Sequence, residues 1–433
     1  MYRLSGLKYF LLVFLFLILP VFFPAALDNR SKLDNLPIPL NNYLVNSFSD
    51  FKYSSIVDNE LSRFMDYNGL HGVSLAVVKD ERLVFAKGYG LAITEDSIPT
   101  APGTVFRLAS VSKLISAVAI MKLAEEKKLA LSDKVFGAKG FFNEDKYLDI
   151  KDKRLEDVTI HNLLNHSGGW TQRYGDPMFN LLQIAKLVGD TPPVTFNSLM
   201  KFVLSRNLHF SPGEAHSYSN LGYFFLGEII NRVTQQPFDE YIKNEILSPM
   251  GIFDIQLANN RFEERFPNEA KYYLPYGDSL ILSYTGDSSL VSKMYGGNDV
   301  HLLGTAGGWV ASAPELAKFM VSIDGFNHVP DFLSKASIAQ MTQDKEHFLG
   351  WKQEYRDGWL RTGSFAGTQA VMFRGNDGFS WVFLCNTSSW KAASFSYDVI
   401  RLMNKIEHSV KYWPDIDLFN ADMFAHSASR LPL

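Results

Sequence analysis

The sequence predicts an α+β fold in which one antiparallel sheet is assembled from both ends of the chain, with a mostly helical lobe inserted between them. Strand-like segments cluster early, at residues 73–78 and 83–86 around the turn Lys79-Asp-Glu-Arg82. They return only late, at 359–362, 367–373 and 379–385, the last two around the turn Gly375-Asn-Asp-Gly378. The stretch between reads as helix and loop, and a helical segment at 392–406 closes the pattern. A sheet built from early and late strands around a helical middle accounts for all three observations.

The N-terminus carries Arg3 and Lys8 and then an apolar run over residues 9–27 before the first acid, Asp28. A positive segment followed by an apolar one is an export signal, and this run lies between a cleaved signal peptide and a spanning anchor in length. Pro24 occupies the place where cleavage after Ala26 would want a small residue, and no lipid-attachment cysteine follows. An uncleaved anchor is therefore expected over 1–27, with the rest of the chain membrane-anchored or periplasmic on the far side. Residues 28–57, with Pro37 and Pro39, read as a tether, 58–410 as the main domain and 411–433 as a C-terminal tail. The chain has 433 residues, 46% hydrophobic and 20% charged, which suits a sizeable globular core. A formal net charge of −4 leaves no basic footprint, so nucleic acid is not an expected partner. The single cysteine, Cys385, lies in an apolar run and reads as a core residue.

Ser110 and Lys113 form a Ser-x-x-Lys pair at the start of an apolar, helix-periodic stretch with no Gly or Pro before Gly137. At a helix N-terminus, backbone N–H groups and the dipole favour negative charge developing on an attacked carbonyl. A lysine one turn on shares the serine's face, and partial desolvation lets it accept a proton. The same spacing begins at Ser5, Ser49, Ser198 and Ser388, where an N-cap beside an exposed lysine is the plainer reading. Only at Ser110 does the serine open a long apolar helix, after a strand-like stretch at 104–108 that would deliver it to a sheet edge.

Two further groups accompany it. Tyr218-Ser-Asn220 is the only Tyr-x-Asn among 19 tyrosines and precedes an apolar helix starting near Leu221. Beside Lys113 the phenol could be drawn towards phenolate and serve as base and then acid; the alternative is a loop aromatic followed by an N-cap at Asn220. Arg361-Thr362-Gly363, followed by Ser364, can present a cation and a close backbone at a strand end, or be an ordinary edge strand ending in a turn. His166-Ser167-Gly168 partly mimics that triplet, with Gly168 and Gly169 read as turn residues. No Gly-x-Ser-x-Gly or His-Glu-x-x-His occurs, and His161 and His166 are spaced five apart, off a shared helical face. No metal and no cofactor are expected.

In order, these elements resemble the serine β-lactamase-like hydrolases, in the branch of class C β-lactamases, low-molecular-weight penicillin-binding proteins, D-aminopeptidases and related esterases. The resemblance spans roughly residues 58–405. It includes Phe106-Arg-Leu-Ala-Ser-Val-Ser-Lys113, Leu163-Leu-Asn-His-Ser-Gly-Gly169, Phe210-Ser-Pro-Gly213, Pro249-Met-Gly251 and Gly304-Thr-Ala-Gly-Gly-Trp309. It implies a β-lactamase-type sandwich with Ser110 as nucleophile, Lys113 and Tyr218 as the acid/base pair, and Asn220 as a ligand of substrate and lysine. The N–H groups of Ser110 and Ser364 would form the oxyanion hole, and Arg361, Thr362, Gly363 and Ser364 a substrate-binding edge. Arg361 stands where the family usually has Lys or His, which keeps the charge and changes its shape. The implied activity is a serine hydrolase forming an acyl-enzyme on a short-chain ester, a D-amino-acid peptide or a β-lactam-like compound. Esterase or peptidase activity is preferred, because the fast deacylation of a true β-lactamase is not carried by motifs. A catalytically weak peptidoglycan-binding or scaffold protein is the contrasting reading, against which the intact Ser110, Lys113, Tyr218 and Asn220 speak. The partners implied are a small-molecule or peptide substrate and, through the N-terminal segment, a membrane; residues 261–299 are expected to shape the pocket.

Overall fold

The computed structural model describes residue 40 and residues 43–420; the expected anchor, the first part of the tether and the last 13 residues of the tail lie outside the described residues. Among the described residues no helix is long and apolar enough to cross a membrane. The strands are β1 (Gly72–Lys79), β2 (Arg82–Ile93), β3 (Ile98–Pro99), β4 (Phe106–Arg107), β5 (Gln256–Leu257), β6 (Leu280–Leu282), β7 (Leu290–Ser292), β8 (Trp309–Ala311), β9 (Gln353–Glu354), β10 (Gly358–Phe365), β11 (Thr368–Gly375) and β12 (Phe379–Cys385).

Seven of them make the main sheet, in the order β3-β2-β1-β12-β11-β10-β9. Every pairing in it is antiparallel, and the central one joins the two ends of the domain, Val73 opposite Cys385 and Lys79 opposite Phe379. The strand period of two sorts the side chains by face. Ala76, Val78, Val382 and Leu384 enter the core shared with the helical lobe. Val73, Leu75, Val77, Trp381, Phe383 and Cys385 enter a second core with the helices Ser54–Asn68 and Phe395–Ser409. The α+β architecture expected from the sequence is the one observed, as three layers with the sheet in the middle.

Three local expectations change. The stretch at 104–108 forms only the two-residue β4, and it pairs with β8 in a separate sheet of order β4-β8-β5. The helix after Ser110, Ser112–Glu125, runs through the middle of the lobe with every residue from Ser112 to Met121 buried. Part of the expected tether is folded onto β2, where Asn46 pairs with the backbone of Gly88 and Ser49 with that of Ala86. Part of the tail does likewise: Trp413 packs on Phe51, Phe85 and Phe379, and the Leu418 N–H donates to Leu83.

Candidate active site

Ser110 sits on the 3-10 turn Ala109–Val111 that runs into the buried helix. Ala109 holds a left-handed φ of 46°, a costly conformation for a residue with a Cβ, and it lifts the serine out of the strand direction. The turn is backed by the part of β10 that β9 leaves uncovered, since β9 pairs only with Trp359 and Leu360. At Gly363 a Cβ would stand 2.1 Å from the Leu108 carbonyl oxygen and 3.0 Å from the Ser110 nitrogen, so only glycine lets the strand lie this close.

Lys113 projects from the first turn of the helix and is wholly buried. Its Nζ donates to Asn220 Oδ1 at 2.6 Å and to the Ala306 carbonyl at 2.5 Å, and stands 3.5 Å from Ser110 Oγ. The Tyr218 Oη is closer, donating to Ser110 Oγ at 2.5 Å, with Lys113 4.7 Å from the centre of its ring. Burial lowers the lysine to about 8, and the positive charge of Arg361 adds to this while Tyr218 opposes it. Burial alone would raise the Tyr218 phenol; the charges of Lys113 and Arg361 outweigh it and bring the phenol below its ordinary value. A phenol disposed to ionise thus touches the serine hydroxyl, with a lysine disposed to be neutral behind it.

Asn220 is the first residue of the helix Asn220–Thr234, and its cap is Ser219, whose hydroxyl accepts from Gly222 N–H. The asparagine is therefore not the N-cap and keeps its side chain for the site. Its Nδ2 donates to Asp176 Oδ2 at 2.7 Å, and Gln172 donates to the same oxygen at 2.8 Å, which fixes the amide so that its oxygen faces Lys113. Asp176 caps the turn Pro177–Phe179, and in the sequence it is indistinguishable from any other capping aspartate. The Ala306 carbonyl was equally hidden. It is aimed at Lys113 because the helix Val300–Gly307 breaks at Gly304, where φ is 24°.

His166, read from the sequence as part of a decoy, is half-buried against the site: its ring centre lies 4.6 Å from that of Tyr218 and its Nδ1 accepts from Ser219 N–H at 3.2 Å. Burial, together with the charges of Lys113 and Arg361, holds it well below the usual histidine range, so it braces the tyrosine as a neutral ring. Arg361 is buried too, and it does not offer a free fork to substrate. Its Nε donates to the Ser110 carbonyl at 2.7 Å and its Nη2 donates to the same oxygen. Thr362 is half-buried, and Ser364 is exposed, its hydroxyl accepting from Gln369 Nε2 at 3.0 Å. The other described Ser-x-x-Lys serines have structural work: Ser49 binds the Ala86 backbone, Ser198 completes a capping box, and Ser388 bridges Gly367 and Phe365.

Residues 261–299 contribute beneath the nucleophile. Arg107, three residues before Ser110, is buried with its guanidinium 4.6 Å from the Tyr272 ring centre; it donates through Nη1 to the Met294 carbonyl at 2.5 Å and through Nη2 to the Asn259 carbonyl. This segment thus props the approach to the nucleophile turn.

The sequence matches the beta-lactamase family over residues 57–403. Among curated relatives, Protein flp of Staphylococcus aureus (strain MRSA252) is 26% identical over 250 residues, 57% of this chain and 43% of that protein. The putative D-alanyl-D-alanine carboxypeptidase of Escherichia coli (strain K12) is 29% identical over 204 residues, 45% of each. The chain thus spans less than half the length of these curated relatives. Among solved structures, the octameric penicillin-binding protein homologue from Pyrococcus abyssi is 25% identical with a TM-score of 0.60, covering 81% of this chain and 77% of that one. D-amino acid amidase from Ochrobactrum anthropi SV3 is 20% identical with a TM-score of 0.61, covering 82% and 97%, a likeness of fold. With the match running through every element that holds Ser110, Lys113, Tyr218 and Asn220, the chain belongs to the beta-lactamase family of serine hydrolases.

Proposed function

We propose that the protein cleaves an ester or amide through an acyl-enzyme on Ser110, with short-chain esters and D-amino-acid amides or peptides as the substrate class. The observation that carries this reading is the 2.5 Å contact between Tyr218 Oη and Ser110 Oγ, with the buried Nζ of Lys113 behind the ring. As Ser110 Oγ attacks the acyl carbon, its proton passes to the ionised Tyr218 oxygen, and the carbonyl becomes an oxyanion facing the N–H groups of Ser110 and Ser364. Collapse expels the alcohol or amine, which takes the proton from Tyr218. Water then attacks the acyl-serine by the same exchange and returns Ser110 and a free acid. Asn220 holds Lys113 in place and presents its amide to the acyl donor.

The engagement of Arg361 with the Ser110 carbonyl weighs against a substrate carboxylate as the main recognition element, and so favours neutral esters and amides. The name of the similar D-amino acid amidase supports the amide part of this range, whereas that of the putative D-alanyl-D-alanine carboxypeptidase would imply a donor with a terminal carboxylate. A fluorophosphonate should add one probe mass to the peptide holding Ser110, and Ser110→Ala should abolish labelling and turnover together. An adduct on another residue would overturn the assignment of Ser110, and no adduct on a folded chain would replace this reading with that of a binding or scaffold protein.

From the charge and apolarity of residues 3–27 we infer that the chain is exported and held at a membrane by its N-terminus. It should stay in the membrane pellet at high salt and be released by proteolysis near Pro37. A soluble mature form beginning near Asp28 would overturn this.

A further inference from the structure

Four of the chain's ten histidines gather on the Tyr218 side of the site, and the mechanism uses only the packing of one, His166. His216, two residues before Tyr218, stacks on His347 with ring centres 3.4 Å apart. His347 Nδ1 lies 3.4 Å from Asp344 Oδ2, and one ligand-type atom from each of His216, Asp344 and His347 falls within 4.8 Å of the others. Asp344 Oδ1 accepts from the backbone N–H groups of Glu346 and His347, which folds the loop and leaves Oδ2 to face the rings. His161 is close enough for its charge to be felt by His216 and to feel that of Asp344. His216, His347 and Glu346 line one wall of a cavity of about 240 Å³, whose other wall is Tyr218, His166, Lys352 and Arg361.

No reaction step draws on this cluster, and a stack of two imidazoles beside a carboxylate has no evident value for folding at a half-exposed rim. Two imidazole nitrogens and one carboxylate oxygen are the donor set of a first-row divalent ion, above all zinc. We propose that His216, His347 and Asp344 bind Zn2+ at the mouth of the cavity beside Tyr218. An imidazole holds a metal in its ring plane, so one ring must turn out of the stack on binding. His216 and Asp344 are exposed and have room to do so. A water completes the tetrahedron. The ion would tie the Tyr218 loop to the 344–347 loop, which leads to Gly350, where a Cβ would stand 2.5 Å from Ala117 of the nucleophile helix.

The test is calorimetric titration of Zn2+ into the full chain, made without a histidine tag and stripped by a chelator, with Co2+ absorption as a second readout. One ion should bind per chain with micromolar or tighter affinity, and His216→Ala, His347→Ala and Asp344→Asn should each weaken it by about tenfold or more with an unchanged circular dichroism spectrum. Cobalt should give the intense visible bands of a tetrahedral site in the wild type and lose them in the variants. Absence of saturable binding to the wild type overturns the proposal, as does binding that survives His216→Ala/His347→Ala. Should that double variant misfold, Asp344→Asn and the cobalt spectrum of the intact chain decide.

Discussion

At the scale of single residues, Arg361 shows how one guanidinium can serve two ends. It grips the Ser110 carbonyl, and its charge helps lower both Lys113 and Tyr218. Because activity requires the ionised phenol or the neutral amine, kcat/KM for a neutral ester should rise with pH through an apparent midpoint near about 8, a value belonging to the coupled pair. A midpoint at the ordinary lysine value of 10.5 would show that burial does not set the chemistry. Lys113→Ala and Tyr218→Phe should each lower kcat by roughly a hundredfold or more. Removing the Arg361 charge lets both groups return upwards, so in Arg361→Ala the midpoint should move to higher pH. Its kcat/KM should fall equally for matched donors with and without a carboxylate. A loss confined to the acidic donor would instead mean that the guanidinium meets substrate directly.

At the scale of elements, the decisive contact is a bare strand against a strained turn. Gly363→Ala puts a methyl group 2.1 Å from the Leu108 oxygen, so either β10 or the Ser110 turn must yield. The expected result is a fluorophosphonate labelling rate at least about tenfold lower and a loss of roughly 1–3 kcal/mol in urea unfolding. Unchanged labelling would show that the turn is held by Arg361 alone. The strands of this region were legible because alternation and Gly-rich turns mark β10, β11 and β12 within a few residues of their observed ends. The nucleophile helix was legible in place and as a buried element, but its polar contacts were not. A central helix still carries serines and a lysine, and only three dimensions show that Ser116 and Lys113 find partners at Thr305, Ala306 and Asn220. Asp176 and the Ala306 carbonyl could not be read at all. The first looks like any capping residue and the second has no side-chain identity, and each acquires its role only when Asn220 or Lys113 arrives from a distant part of the chain.

At the scale of the whole molecule, Ser110, Tyr218 and Arg361 come from three separate stretches, so their order along the chain was readable while their spacing in space was not. The insertion lines a groove of its own, where Ile281, Leu282 and Tyr284 face Phe179 and Leu181 and none of Ser110, Lys113 and Tyr218 takes part. It also props Arg107 from below. The pairing of β1 with β12 carries a consequence of timing. During synthesis β1 and β2 emerge early, yet the inner edge of β1 finds its neighbour only when Phe379–Cys385 has been made. Until then an apolar strand stands with an open ladder, the condition that invites pairing with other chains, and closure must overcome the entropy of a loop spanning most of the domain. The nascent chain therefore cannot mature in halves: the lobe that holds Lys113 and Asn220 can collapse first, while the edge that presents Gly363 and Arg361 is completed last, and hydrolytic competence appears only at the final stage of folding.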